Sequence, residues 1–169
     1  MIIRLNTPPL PRDWSTMAGS ENLLFQTDIA VSPASTLRAK TLLFENLDGM
    51  NRFWRLALER PPLSKDTMAV CNPLTVEVHF SKVKGKPQRP PELRVDPRYF
   101  CVIGLVNEHL SREFIVHESV HAAFAYSRRV RGKHRWFDDD KDGEERICYP
   151  AGRIASDIIG ALREKGFLS

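Results

Sequence analysis

His117-Glu118-Ser119-Val120-His121 constrains this chain more than any other stretch. It is an H-E-x-x-H pattern, and its spacing has meaning only on a helix. Residues four apart on a helix lie on one face, one turn above the other. His117 and His121 then stand side by side, with imidazoles able to meet at one metal ion. Glu118 is one step round and can face a water on that ion. The pattern asks for a helix, for packing that holds it, and for a third ligand from elsewhere. A catalytic zinc ion takes three protein ligands and leaves a fourth position open.

The residues around the motif fit a helix. Phe114, Ile115, Val116, Val120, Ala122, Ala123, Phe124 and Ala125 make it apolar almost all round. Such a helix is expected to be buried. Two histidines and a glutamate buried in it are costly unless bonded or bound to a metal. Asn107 or Ser111 is the expected N-cap, and the helix is expected to end near Arg129, before Gly132. A second helix is expected from Asp142, where Asp142-Gly143-Glu144-Glu145 has capping-box spacing. Ile147, Cys148, Ala151, Ile154, Ala155, Ile158 and Leu162 recur along it at helical intervals. Pro150 is expected to kink it, and Gly166 to stop it.

The rest of the chain points to an α+β protein. Its 169 residues suit a single domain over 1–169, with residues 1–20 as an extended, Pro-rich arm. The core is placed at 36–169 and the motif region at 107–165. Leu23 to Val31 is a strand or an irregular segment, and Thr41 to Phe44 a short strand. Leu47 to Leu58 is a helix with an apolar stripe, ended by Arg60-Pro61-Pro62. Leu74, Val76, Val78 and Phe80 alternate with polar residues, as in a half-buried strand. A basic, Pro-rich loop follows to Arg98, and Tyr99 to Val106 is a second strand, antiparallel to the first.

Composition excludes some classes of function. No apolar run is long enough to span a bilayer. The first ten residues, interrupted by Asn6, Pro8 and Pro9, do not read as a secretory signal. The expected setting is the cytoplasm, or the host cytoplasm for a phage-encoded chain. Cys71, Cys101 and Cys148 are odd in number with no C-x-x-C, so buried free thiols are expected. The net charge of +4 is uneven. Basic residues cluster at 82–98 and 128–135, and acidic ones at 138–145. No nucleic-acid-binding motif accompanies them, so solvated loops are the expected reading and nucleic acid is not an expected partner. Asp138 to Gly143 matches the first half of a calcium loop, but Tyr149 stands where the bidentate glutamate belongs. His79 and His109 have no partner ligands nearby in sequence. Nothing in the sequence sets an oligomeric state.

A third ligand must come from outside the motif. One known option needs a glycine three residues after the second histidine and a histidine three further on. Phe124 and Ser127 occupy those positions and exclude it. His134 lies in a polar, basic turn. Glu144 and Glu145 open the next helix and are the better candidates. Helical phase favours Glu144, in line with Cys148, Ala151 and Ile158.

His-Glu-Ser-Val-His-Ala-Ala and Glu-Glu-Arg-Ile-Cys-Tyr-Pro-Ala-Gly-Arg together resemble the minimal gluzincin arrangement. The segment from Phe114 to Leu162 is similar to small zinc-peptidase-like proteins of phages and bacteria, and more distantly to the ImmA/IrrE type. The resemblance covers about a third of the chain. It favours Glu145 as third ligand, because related peptidases carry E-x-x-(small)-(Asp or Asn). Cys148 matches the small position here, and Tyr149 replaces the acid or amide. The resemblance implies a small twisted sheet packed on the motif helix in a zincin-like domain. It implies Zn2+ held by His117, His121 and Glu145 or Glu144, with Glu118 as general base. It also implies a protein or peptide substrate, which an edge strand at Tyr99 to Val106 would bind by strand addition. Tyr126, His134, Tyr149 and Arg153 are candidate donors to the reacting carbonyl or partners of a ligand. The alternative is a non-catalytic binding protein on the same scaffold, a phage-type inhibitor or regulator of a host factor.

Overall fold

The computed structural model describes residues 13–58, 60–74, 98–131 and 142–169, with backbone alone at 131 and 142–144. Among these residues, four strands and three helices follow one another as β1 (Leu23–Ala30), β2 (Arg38–Phe44), α1 (Leu47–Leu56), β3 (Ala69–Pro73), β4 (Tyr99–Val106), α2 (Arg112–Arg131) and α3 (Asp142–Glu164). Single 3-10 turns lie at Trp14–Thr16 and Asn107–His109. The strands form one sheet in the order β1-β2-β4-β3. β2 and β4 run parallel, and the two outer pairs are antiparallel. The architecture is α+β, as the element pattern predicts.

The central strands explain the layering. β4 carries no charged residue and is buried at every position, the mark of a strand covered on both faces. Cys101, Ile103 and Leu105 join one core, with Ile115, Ala122 and Ala125 of α2 and Ile154, Ile158 and Leu162 of α3. Tyr99, Val102 and Val106 join the other, with Met50, Phe53 and Trp54 of α1 and with Trp14. Each large side chain taken fully out of water contributes about 1.5–3 kcal/mol, so both layers hold the sheet. α1 starts where Asn46 accepts a hydrogen bond from the Gly49 N–H at 2.9 Å, a regular N-cap.

Several expectations change at this level. β2 begins at Arg38 and runs through Lys40, which is 2% exposed. A lysine is buried there because its Nζ lies 3.0 Å from Asp28. It also stands 5.7 Å from the centre of the Trp14 ring and 5.9 Å from that of Tyr99. Tyr99 donates its hydroxyl to the same carboxylate at 2.9 Å. From Asp13 on, the expected extended arm is instead a docked turn. Trp14 is fully buried, and its main-chain N–H donates to Gln26 Oε1 at 2.9 Å. The strand expected over 74–80 lies outside the described residues beyond Leu74. β3 precedes it, in a stretch with no alternation to reveal it.

β4 is an interior strand, so it is not the expected edge strand; among the described residues β3 and β1 are the outer strands. Val106 N–H bonds Met68 O at 3.3 Å and Leu74 N–H bonds Phe100 O at 2.9 Å. Counting in from both, Val70 and Asn72 turn their amides toward β4, while Ala69 and Cys71 turn theirs away from it. Proline is tolerated at 73 because its missing N–H is not one that β4 needs. Among the described residues, no helix is long and apolar enough to cross a membrane.

Candidate metal centre

α2 begins at a serine cap. Ser111 Oγ accepts from the Phe114 N–H at 3.3 Å, and Ser111 O accepts from the Ile115 N–H at 3.2 Å. The helix then lies against β3, β4 and α3. Ser119, Ala122 and Ala123 are small and fully buried, which lets the helix approach closely. Ser119 returns its hydroxyl to Ile115 O at 2.7 Å.

The opposite face of α2 is open, which corrects the expectation of a buried motif helix. Phe114, Val116, Val120 and Val130 are among the exposed large apolar residues. His117 and His121 are exposed as well. The argument that buried histidines need a metal therefore does not apply to them; it applies to Glu118, which is 7% exposed.

The histidines meet as their spacing predicts. Their Nε2 atoms are 3.1 Å apart, with ring centres 4.8 Å apart at 69°. Two nitrogens held at about 2.0–2.1 Å by one ion lie roughly 3–3.4 Å apart. The spacing of the pair is within the range that one zinc ion requires. In the absence of an ion, the same contact is a hydrogen bond in which one ring donates and the other accepts.

Glu118 sits beside the pair, with Oε1 4.0 Å from His117 Nε2. Burial pushes its carboxyl above the usual glutamate range. His121 and His117 draw it back. A carboxylate shifted upward, near two imidazoles, is suited to accept a proton at neutral pH.

The third ligand divides differently. α3 is continuous through Pro150, so its helical phase holds from its first turn onward. Glu145 is exposed, in line with the exposed Tyr149 and Ser156. Cys148, which the sequence places on the apolar face with Ala151 and Ile158, is exposed, whereas Ala151 and Ile158 are buried. The side chain of Glu144 lies outside the described residues. Among the described residues, no three His, Cys, Asp or Glu side chains form a group able to hold a metal ion.

The remaining candidates scatter. Tyr126 packs edge-on against Phe100, with ring centres 5.4 Å apart, and belongs to the core. Tyr149 is 74% exposed. Arg153 pairs with Asp157 at 2.8 Å. His109 is exposed in its 3-10 turn, while His79, His134 and the acidic run at 138–141 lie outside the described residues. All three cysteines are free; Cys101 is buried, Cys71 half-buried and Cys148 exposed, against the expectation of three buried thiols. Sequence reasoning missed the packing of the motif helix on β3, because no local alternation reveals that strand.

No family model matches the chain, and no curated protein or solved structure matches it.

Proposed function

We propose that the chain is a zinc-dependent metallopeptidase of the gluzincin type, acting on a peptide bond of a protein or peptide substrate. The observation that carries this reading is the convergence of His117 and His121 at 3.1 Å, beside a buried glutamate. His117 and His121 would hold the ion. Glu144 or Glu145 would supply the third donor. When bound, zinc supplies a Lewis acid that polarises a carbonyl and acidifies water.

Glu118 does the proton work. Its carboxylate accepts a proton from the attacking water and returns it to the leaving amine. Burial keeps the carboxylate poorly solvated, which makes it a stronger base than an exposed glutamate. The exposure of the histidine pair leaves room for an extended substrate over α2.

Hydrolysis of a peptide library in the presence of zinc tests the reading. Glu118→Gln should keep the metal and lose at least a hundredfold in rate, the usual scale of general-base catalysis. Full activity in that variant would overturn it. A second reading, non-catalytic binding of a protein partner, draws on the exposed Phe114, Val116 and Val120 around the motif. In that case Glu118→Gln leaves the binding unchanged and no peptide is cut.

A further inference from the structure

The histidine pair stands on the solvent face of α2. The His117 side chain is 66% exposed, and His121 is exposed as well. Apolar side chains flank the pair. Val116 and Val120, four apart, make a row on one side of it, and Phe114 stands on the other. All three are large apolar residues left in solvent. Apolar side chains grouped on a surface, unlike single ones, mark a place of contact. One turn before the pair α2 carries Glu113, and two turns after it Arg128, both exposed on this face. The face thus has a ligand pair at its middle, apolar shoulders, and an acid and a base toward opposite ends.

We infer that this face meets a second copy of itself across one zinc ion, with His117 and His121 of each copy as the ligands. A two-fold axis through the ion sets the two helices antiparallel, and every contact then occurs twice. The 3.1 Å between the Nε2 atoms suits two corners of a zinc tetrahedron. An identical pair from the second copy supplies the other two corners, which closes the shell as in a structural zinc site. Antiparallel helices bring Glu113 of each copy toward Arg128 of the other, and the apolar shoulders come out of water. The inference rests on the reading of the pair as zinc ligands. It goes beyond that reading, because an ion shared in this way has no open position for water. The joined chains are therefore a latent form. Zinc supply decides between the two states. Below one ion per chain, two chains share; on the proposed function, ions in excess give each chain its own site and the copies separate.

Sedimentation of the metal-free chain titrated with zinc tests it, with bound zinc counted at each step. The metal-free chain should sediment as a monomer. Its mass should double as zinc reaches half an equivalent, and fall back as zinc passes one equivalent. His117→Ala and His121→Ala should stay monomeric throughout. Val120→Lys should still bind zinc but weaken the zinc-linked dimer by roughly tenfold or more, because it sets like charges against each other across the axis. Zinc bound at one ion per chain with no dimer at any ratio would overturn the inference and leave the metal centre standing. A chain that binds no zinc would overturn both. A dimer that persists in chelator, or that His117→Ala retains, would also overturn the inference. A dimer that outlasts excess zinc upholds the shared ion and tells against a catalytic centre within one chain. The wild-type titration decides the matter by itself should a variant fail to fold.

Discussion

Replacing Glu118 by glutamine removes a charge that α2 buries and keeps the shape of the side chain. Because burial disfavours the ionised carboxyl, the variant should be more stable than the wild type in the metal-free chain at neutral pH, with a higher Tm. Thermal unfolding with chelator measures it, and a lower Tm in the variant would show that the carboxylate is there for packing. A residue that costs stability where it stands is one that function retains. At this scale the motif was readable in the sequence, because i and i+4 positions meet on any helix. The exposure of its histidines was not. Val116, Val120 and Phe114 look like core residues in a composition count, and only the packing of α2 shows that they stay outside.

Two glycines show how the elements differ in what they require. Gly166 has φ +79°. It follows α3 in a Schellman turn, with Phe167 N–H on Leu162 O at 2.9 Å and Gly166 N–H on Arg163 O at 3.0 Å. Space around it is open, so Gly166→Ala should cost only the backbone penalty, about 1 kcal/mol. Gly104 lies in β4 under α1. A Cβ there would stand 2.7 Å from Trp54 and 2.8 Å from Met50, both deeply buried. Gly104→Ala should cost about 2 kcal/mol, as overpacking does. Denaturant unfolding of both variants checks the order; equal losses would contradict it. The stop at Gly166, the cap at Ser111 and the strand at Tyr99–Val106 were all legible, since each rests on local chemistry. The start of β2 at Arg38 was not, because Lys40 is neutralised by Asp28 from a neighbouring strand. β3 was missed for a related reason: Ala69 to Pro73 becomes a strand by pairing with β4, not by its own pattern.

In the whole molecule, one sheet separates two cores and places the motif helix at its β3 margin. α1 and Trp14 seal one face, and α2 with α3 seal the other. The α+β class followed from the elements, but the order β1-β2-β4-β3 did not. A parallel β2–β4 pair at the centre puts β4 inside the sheet and β3 outside it, and no local signal encodes that exchange. The central claim is that this margin carries a metal centre built on His117 and His121. Metal analysis of the chain purified without chelator, then stripped and reloaded, tests it most directly. The account predicts about one zinc ion per chain, lost in His117→Ala and in His121→Ala and kept in Glu118→Gln. A chain that neither retains nor takes up zinc or another transition metal, or that binds it equally well without the two histidines, would contradict it.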